Sequence, residues 1–574
     1  MAHQPAHVSG ITRHKATSDR MKMIMPIHGK FRLAGALMPA LAIGACQAVT
    51  AGPDAAAVPW VADLGNGRYK NPVLNADYSD PDAIRVGDTF YMVSSSFNSA
   101  PGLPLLTSND LVNWELVGHA LQKLVPGERY AAPRHGDGVW APCLRHHNGA
   151  FWIFYPDPDL GIFVITAKQF AGPWSAPRLL LSGRGIIDPT PLWDDDGKAY
   201  LLHGWAKSRA GFNNLLTLRS MAPDASGLLD GEGPGRTLID GNQLPGYRTL
   251  EGPKFYKANG YYYVFAPVGG VEEGWQSVFR SRSINGPYEV RVVMAQGSTP
   301  INGPHQGAWV RAPDGNDWFL HFQDRKAYGR VVHLQPMRWV DDWPIIGEDS
   351  ARAGTGQPVR EHAKPVAGFA VMTPPASDDF TGPTLGLQWQ WNANPEPRWY
   401  SLVERAGTLR LHTQSAPEAA GHVRGAPSVL AQKLPAPAFV VNTHIALNHA
   451  VDGDRAGLIL NAMQYAWLGL RRTAGVTELV YTTCTQAVPR CKENSSVVLP
   501  AAPAALYLRM SMAEGAVASF SYSLDNVSFT PAGPAFTASK GRWVGAQIGL
   551  FSVGDKPGTP ASSMDVDYFR ITAP

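Results

Sequence analysis

The sequence has few charged residues and few cysteines for its length of 574 residues. Charged side chains make up 17% of it, and 50 Lys and Arg are balanced by 47 Asp and Glu, which leaves a formal net charge of +3. Because the charges are so nearly balanced, they offer no electrostatic basis for binding nucleic acid. The four cysteines form no Cys-x-x-Cys pair and no Cys/His cluster. Nucleic-acid binding and a structural zinc site are therefore both disfavoured.

The N-terminal region lacks an apolar run long enough to span a membrane. Basic residues precede the short apolar stretch 33–45, a pattern typical of an export signal rather than a transmembrane helix. Two kinds of processing stay open: ordinary cleavage after Ala51, or lipidation of Cys46 within a sequence that resembles a lipoprotein box. We predict that residues 1–51 are an N-terminal extension and signal peptide. The protein is then exported to the periplasm or the medium, with a lipid anchor at Cys46 as the alternative to a free form.

Turn-forming and aromatic residues, by contrast, are abundant. The sequence contains 58 Gly and 48 Pro, spread along the chain, together with 17 Trp, 19 Tyr and 21 Phe. Many turns, many aromatic residues and few charges are typical of an all-β protein that binds flat, neutral ligands. A chain of this length also exceeds what one hydrophobic core usually supports, so two or three domains are expected.

Short strands rich in aromatic residues recur five times, each directly after a tight turn. Asn-Gly and Asp-Gly pairs supply the positive φ angles that two-residue hairpins need. The turns lie about 50–60 residues apart, which is the spacing of four-stranded propeller blades. Residues 66–357 are therefore predicted to form a five-bladed β-propeller. The five turns are Gly87-Asp88, Asn148-Gly149, Asp196-Gly197, Asn259-Gly260 and Gly315-Asn316.

A distinctive residue stands eight to ten positions before each turn, at the start of the preceding strand. Equivalent positions on the first strands of all blades converge on the central axis of a propeller. We therefore expect three carboxylates, a Trp and a His to meet in one cavity. The five residues are Asp80, Trp140, Asp188, Glu251 and His305.

Three carboxylates around one cavity suit the hydrolysis of a glycosidic bond. One carboxylate deprotonates a water molecule, and a protonated second carboxyl donates to the leaving oxygen. The third orients the acid and raises its pKa through its own negative charge. The indole ring offers a flat apolar face to a sugar. A divalent cation held by the two Asp, the Glu and the His is the alternative chemistry.

Motifs along residues 70–350 resemble glycoside hydrolase family 43 in their order and spacing. They include Asp80-Pro81, Trp140-Ala141-Pro142, Asp188-Pro189, Glu251-Gly252-Pro253 and His305-Gln306-Gly307. The resemblance implies an inverting, exo-acting glycosidase in which Asp80 is the general base, Glu251 the general acid and Asp188 the residue that adjusts the pKa of the acid. The residues matched to substrate binding are Phe97, Trp140, His305, Gln306 and Arg330.

The resemblance also implies a substrate. Similar family members are β-xylosidases and α-L-arabinofuranosidases, so the expected partner is a neutral pentose-containing oligosaccharide of the xylan type, and β-xylosidase is favoured. An α-L-arabinofuranosidase, or an enzyme with both activities, is the alternative. From a different class, a carbohydrate-binding protein without catalysis is the rival, although three intact carboxylates argue against it. No cofactor is required, but many members hold a calcium ion near the propeller centre, where His305 would reach it through water.

A second domain follows the propeller. The proline-rich stretch 358–376 is predicted to be a linker, because the aromatic repeat stops before it. Residues 377–574 contain short runs of alternating apolar and polar residues, which are typical of a β-sandwich. The end of this region resembles the concanavalin-like, jelly-roll domain that accompanies many family 43 exo-enzymes.

Two local features of the sandwich carry further predictions. Cys484 and Cys491 are close enough in sequence for a small disulfide loop in an oxidising compartment, with two free thiols as the alternative. Asp378 and Asp567 in the sandwich are expected to be ordinary solvated acids, and a structural calcium ion shared between them is the alternative.

Overall fold

The structure is a computed structural model that describes residues 58–231, 233–415, 422–486, 491–555 and 562–574. The predicted N-terminal extension and signal peptide, with Cys46, lies outside the described residues. Within the described ranges, no helix is both long enough and apolar enough to cross a membrane.

Five antiparallel sheets of four strands each follow one another along the first half of the chain. In each sheet the strands are neighbours in chain order, which is the arrangement of propeller blades. A four-residue helix, Lys207–Ala210, interrupts the third blade. The prediction of a five-bladed β-propeller is confirmed. The strands are, in blade 1, β2 (Asp82–Val86), β3 (Thr89–Val93), β4 (Gly102–Ser108) and β5 (Glu115–Leu121); in blade 2, β6 (Cys143–His147), β7 (Ala150–Asp157), β8 (Gly161–Ala167) and β9 (Arg178–Ser182); in blade 3, β10 (Ile186–Trp193), β11 (Ala199–Trp205), β12 (Leu215–Met221) and β13 (Arg236–Asp240); in blade 4, β14 (Lys254–Ala258), β15 (Tyr261–Val268), β16 (Trp275–Ser281) and β17 (Glu289–Met294); and in blade 5, β18 (His305–Arg311), β19 (Asp317–Asp324), β20 (Arg330–Val340) and β21 (Trp343–Ile346).

Each predicted turn joins the first and second strands of its blade. In blades 2 and 4 the turn is two residues long, and the Asn that opens it has a φ of 50° at Asn148 and 51° at Asn259. Asn tolerates this left-handed conformation better than most residues do. The aromatic runs after the turns are the second strands, and their apolar side chains are buried in cores between neighbouring blades.

Segments from both ends of the propeller region pair with each other. Strand β1 (Arg68–Lys70) pairs with β22 (Glu361–Ala363), and Leu74 makes a bridge to Val332 of blade 5. The predicted linker 358–376 is therefore not wholly a connecting segment. This pairing was not predictable from the sequence, because a three-residue strand has no measurable periodicity.

The C-terminal region forms two sheets of eight strands each, in agreement with the predicted β-sandwich. Cys484 and Cys491 are joined by a disulfide bond. The first sheet contains β23 (Gln390–Trp391), β26 (Gln414–Ser415), β27 (Leu430–Lys433), β29 (Arg455–Asn461), β30 (Tyr465–Thr473), β31 (Val476–Cys484), β32 (Asn494–Leu499) and β37 (Gln547–Gly554); the second contains β24 (Tyr400–Ser401), β25 (Leu409–His412), β28 (Phe439–Asn448), β33 (Ala505–Ala513), β34 (Val517–Ser523), β35 (Thr530–Pro531), β36 (Phe536–Thr537) and β38 (Ser563–Thr572).

The sandwich is attached to the propeller by backbone hydrogen bonds. Ala100 of blade 1 exchanges N–H···O bonds of 3.0 and 2.6 Å with Trp391. In a further contact between the two domains, the N–H of Ala546 donates to the carbonyl of Ala327 at 2.7 Å. Trp391 is 3% exposed, so its indole belongs to the packed interior. Paired, buried backbone groups of this kind fix the relative position of two domains.

Candidate active site

The three predicted carboxylates lie where the first strands of their blades begin. Asp80 comes two residues before β2, Glu251 three residues before β14, and Asp188 is the third residue of β10. Asp80 and Asp188 have positive φ angles of 53° and 55°, and the pairing of β10 with β11 shifts register between Ile187 and Thr190. Such irregularities turn a side chain away from the regular pleat and are frequent at functional sites.

All the residues that the sequence predicted for catalysis and substrate binding line one pocket at the centre of the propeller. The pocket has a volume of about 410 Å³, within the usual range for small-ligand sites. The sequence pattern therefore identified a group of residues that are adjacent in space. Those residues are Asp80, Phe97, Trp140, Asp188, Glu251, His305, Gln306 and Arg330.

Asp80 is held by two neighbours. Arg330 Nη1 donates to both of its carboxylate oxygens, at 2.9 and 3.2 Å, and Ser95 Oγ donates to Oδ2 at 2.6 Å. Asp80 and Ser95 are almost fully buried. A buried carboxylate with a charged partner and a hydroxyl donor has a fixed position. Ser95 was not among the predicted site residues, because nothing in the sequence distinguishes it from its neighbours Ser94 and Ser96 after β3.

Asp188 is buried beside the polypeptide of blade 4. The N–H of Gly252 donates to its Oδ2 at 2.8 Å, and Gln306 Nε2 donates to Oδ1 at 3.4 Å. Burial, and secondly the negative charge of Glu251, raise the pKa of Asp188 to about 7. The proton that Asp188 retains near neutrality is thus coupled to the charge on Glu251.

Glu251 is in direct contact with His305 in the pocket. Its Oε1 lies 3.2 Å from His305 Nε2, and its side chain keeps 23% of its exposure, whereas that of His305 keeps 1%. Glu251 is therefore the carboxyl group that remains open to a ligand. The hydrogen-bond contact with His305 fixes the position of the Glu251 carboxyl group, and the sequence did not predict it.

Three aromatic rings line one wall of the pocket. Phe97 and Trp140 have ring centroids 6.2 Å apart, and Trp140 meets Trp543 edge-on at 5.8 Å. Phe97 is buried, whereas Trp543 is 38% exposed. Trp543 belongs to the sandwich, so the second domain supplies part of the pocket. Apolar ring faces suit the carbon-bound hydrogens of a sugar.

Asp77 connects the sandwich loop that carries Trp543 with the proposed catalytic groups. Its Oδ2 accepts from the N–H of Gly545 at 2.8 Å, and its Oδ1 accepts from the N–H of Arg330 at 2.9 Å. Ser79 Oγ, next to Asp80 in sequence, also donates to Oδ1 at 2.7 Å. Asp77 is 7% exposed. One buried carboxylate therefore holds the sandwich loop that carries Trp543 and the backbone of Arg330 in fixed relative positions.

Two known domain families match most of the chain. The sequence profile described as Glycosyl hydrolases family 43 matches residues 69–344, and the profile described as Beta xylosidase C-terminal Concanavalin A-like domain matches residues 377–572. The chain belongs to glycoside hydrolase family 43. Family 43 enzymes hydrolyse glycosidic bonds with inversion, so the protein is a glycoside hydrolase.

The similarity to known proteins extends over most of the chain. A beta-xylosidase of Formosa agariphila is 33% identical over 554 residues, which cover 88% of this chain and 90% of that protein. A non-reducing end alpha-L-arabinofuranosidase of Bacteroides ovatus is 31% identical, over 70% of this chain and 76% of that one. The solved xylan beta-1,4-xylosidase of Bacillus halodurans C-125 superposes with a TM-score of 0.76 at 26% identity, covering 88% of this chain and 99% of its own.

The predicted calcium ion near the propeller centre has one candidate ligand in this family 43 enzyme. His305 Nδ1 is buried and has no hydrogen-bond partner among the described residues. Calcium takes about six to eight oxygen ligands, and the described part of the chain contains no group of three or more His, Cys, Asp or Glu arranged to hold a metal. The described side chains do not form a calcium site by themselves.

The structure gives no support to the alternative of a calcium ion shared by two acids of the sandwich. Asp378 accepts hydrogen bonds from the N–H groups of Phe380 and Gly386 and from the indole of Trp389. Asp567 instead lies 2.6 Å from His444 Nδ1. Each carboxylate is thus engaged by different protein groups, and the pair does not converge on a common site.

Replacing Asp188 by Asn should stabilise the family 43 enzyme at high pH. Its pKa of about 7 in the folded chain exceeds the value of about 3.9 for an unfolded Asp. The folded state therefore binds more protons between these two pH values, and stability falls as pH rises through them. The Asp188→Asn variant does not lose stability in this way. Its melting temperature should therefore equal that of wild type near pH 4 and exceed it at pH 8. The gain in the free energy of unfolding at pH 8 is at most about 4 kcal/mol.

Thermal denaturation at a series of pH values checks this expectation. The matched control is Asp314→Asn, a change in an exposed turn residue, which should leave the difference flat. An Asp188→Asn variant whose melting temperature follows that of wild type at every pH would contradict the raised pKa.

Proposed function

We propose that this enzyme is an exo-acting, inverting β-xylosidase that removes terminal xylose from xylan-type oligosaccharides. The observation that carries the proposal is that Asp80, Asp188 and Glu251 line one small pocket with an aromatic wall. A pocket that joins carboxyl groups to flat apolar rings suits a neutral sugar. The names of the similar proteins, which include a beta-xylosidase and a xylan beta-1,4-xylosidase, support the choice of sugar.

In the proposed mechanism Asp80 is the general base. Arg330 and Ser95 hold its carboxylate in one position, from which it accepts a proton as a water molecule attacks the anomeric carbon. The new carbon–oxygen bond forms on the face opposite the departing group, so the configuration inverts. Fixed positioning of the base lowers the entropic part of the barrier.

Glu251 is the proposed general acid. It donates its proton to the glycosidic oxygen as the bond to the anomeric carbon breaks, so the leaving sugar departs as a neutral alcohol. Asp188, buried beside it, is the proposed modulator: burial and the charge of Glu251 raise the pKa of Asp188 to about 7, so its charge is set by the neighbouring carboxyl group. His305, 3.2 Å from Glu251, orients the same carboxyl group.

An α-L-arabinofuranosidase, or an enzyme with both activities, is the second candidate. The similarity to the arabinofuranosidase of Bacteroides ovatus favours it. Xylose and arabinose are both pentoses with related hydroxyl arrangements, so one pocket can hold either.

A panel of p-nitrophenyl glycosides decides among these candidates. We expect release of nitrophenol from the β-D-xyloside at the highest kcat/KM, and release of free xylose from xylo-oligosaccharides. A preference for the α-L-arabinofuranoside would select the second candidate. Binding of xylo-oligosaccharides with no hydrolysis of any member of the panel would contradict the enzymatic proposal and leave a carbohydrate-binding protein.

We also propose that the enzyme is exported. The basic and apolar segments within residues 1–51 support this, and polymeric or oligomeric xylan lies outside the cell. Cell fractionation of the full-length chain tests it: activity in the periplasm or medium is expected, and labelling of Cys46 by a lipid precursor would select the lipoprotein alternative. Activity confined to the cytoplasm would contradict export.

A further inference from the structure

The sandwich has a groove of its own, which shares no lining residue with the catalytic pocket. It lies where β29 and β30 of the first sheet meet the residues beside β32 and β37, and its volume is about 610 Å³. This is within the range of small-ligand sites.

The groove contains buried hydrogen-bond donors that lack partners. Trp467 is 1% exposed, and its indole Nε1 has no acceptor in the described part of the chain. The same holds for Nε of Arg455 and Nε of Arg471, which lie opposite each other on adjacent strands. Three such donors along one groove are unusual, because buried N–H groups are nearly always paired. An acceptor-rich ligand would satisfy them.

The charges in the groove balance. Arg455 forms a salt bridge of 2.8 Å with Asp555, and Arg471 forms one of 2.8 Å with Glu478. Glu493 accepts from Tyr465 at 2.7 Å. Glu493 and Asp555 can each also accept a hydrogen bond from a ligand hydroxyl. Paired charges leave little net field to attract an ion.

We propose that this groove binds a neutral, polyhydroxylated chain, namely a xylan-type polysaccharide. Ring and hydroxyl oxygens would accept from the indole of Trp467 and from the two arginines, while hydroxyl hydrogens would be donated to Glu493 and Asp555. The sandwich then anchors the enzyme to polymer from which the catalytic pocket removes terminal residues. The inference rests on the proposed function for the choice of xylan.

Affinity electrophoresis of the full chain through gels with and without soluble xylan tests this site. The catalytic pocket engages chain ends, which are scarce in polymer, so retardation reports a site that binds chain interiors. We expect xylan to retard the wild-type enzyme. Trp467→Phe keeps the ring and removes one donor, which should raise the dissociation constant about 2- to 12-fold.

Arg471→Gln is the second variant, since Arg471 is partly exposed and its replacement should not prevent folding; a rise of the same order is expected. The matched control is Arg570→Gln on the second sheet, where an equivalent salt bridge of 2.9 Å to Asp379 is lost. All three variants should keep wild-type kcat/KM on the p-nitrophenyl substrate, which shows that they are folded.

Absence of retardation for an enzyme that hydrolyses the p-nitrophenyl xyloside would overturn the second site and leave the proposed function intact. Retardation that is equal in Trp467→Phe, Arg471→Gln and wild type would also overturn it, because the polymer would then be bound elsewhere. Retardation by acidic pectin rather than by xylan would contradict the neutral ligand.

Discussion

Glu251→Gln should reduce kcat on xylobiose by about 10²- to 10⁴-fold, the contribution usual for a general acid. The amide has nearly the shape of the carboxyl group but no proton to give, so the glycosidic oxygen would have to leave as an alkoxide. Substrate binding should survive, because Glu251 is replaced by a group of the same size. The loss should be much smaller on aryl xylosides with acidic leaving groups, which depart without protonation.

Steady-state kinetics on xylobiose and on a series of aryl xylosides measures both effects, and isothermal titration with xylobiose measures binding. Glu289→Gln, at an exposed edge of blade 4 where it loses a pair with Arg280, is the matched control and should behave as wild type. Equal losses on all leaving groups would remove Glu251 from the role of acid.

Asp80→Asn should strongly reduce activity on every substrate, whatever its leaving group. Water must still be deprotonated when the leaving group is good, so the aryl xylosides that partly rescue Glu251→Gln should not rescue this variant. We expect kcat to fall by about 10²- to 10⁴-fold on both substrate types. The amide oxygen can still accept from Arg330 or Ser95, so the pocket should keep its geometry.

Kinetics on the same aryl series checks Asp80→Asn. Because the change leaves the buried Arg330 without a charged partner, it should also lower the melting temperature. The variant should therefore be assayed at a temperature where circular dichroism shows it folded. Asp196→Asn, in the exposed hairpin turn of blade 3, is the control. Retained turnover of the best aryl xyloside would mean that another group activates water.

Much of the propeller was predictable because its repeat is local. A pair such as Asn259-Gly260 specifies a tight turn by its backbone conformation alone, and the turn fixes the strand before it. The position of Glu251 nine residues upstream then follows from the length of that strand. For the same reason the sequence places Asp188 and Asp80 at equivalent points of their blades, and the structure brings all three into one pocket.

The parts that were not predictable depend on contacts between distant segments. Trp543 lies in a sandwich loop, and nothing near it in sequence indicates that it reaches the propeller. Asp77, which aligns that loop with Arg330, looks like any acid before a strand. The pairing of Glu361–Ala363 within the predicted linker is of the same kind. Each contact depends on how the two domains pack, and a local pattern carries no information about that.

The central claim is that water attacks directly, with Asp80 as base and Glu251 as acid, so that the anomeric configuration inverts. Proton NMR of the first-formed product during rapid hydrolysis of xylobiose tests it most directly, because the anomeric protons of α- and β-xylose are resolved before mutarotation mixes them. The account predicts that α-xylose appears first at the cleaved end. β-Xylose as the first product would require a covalent intermediate and would contradict it.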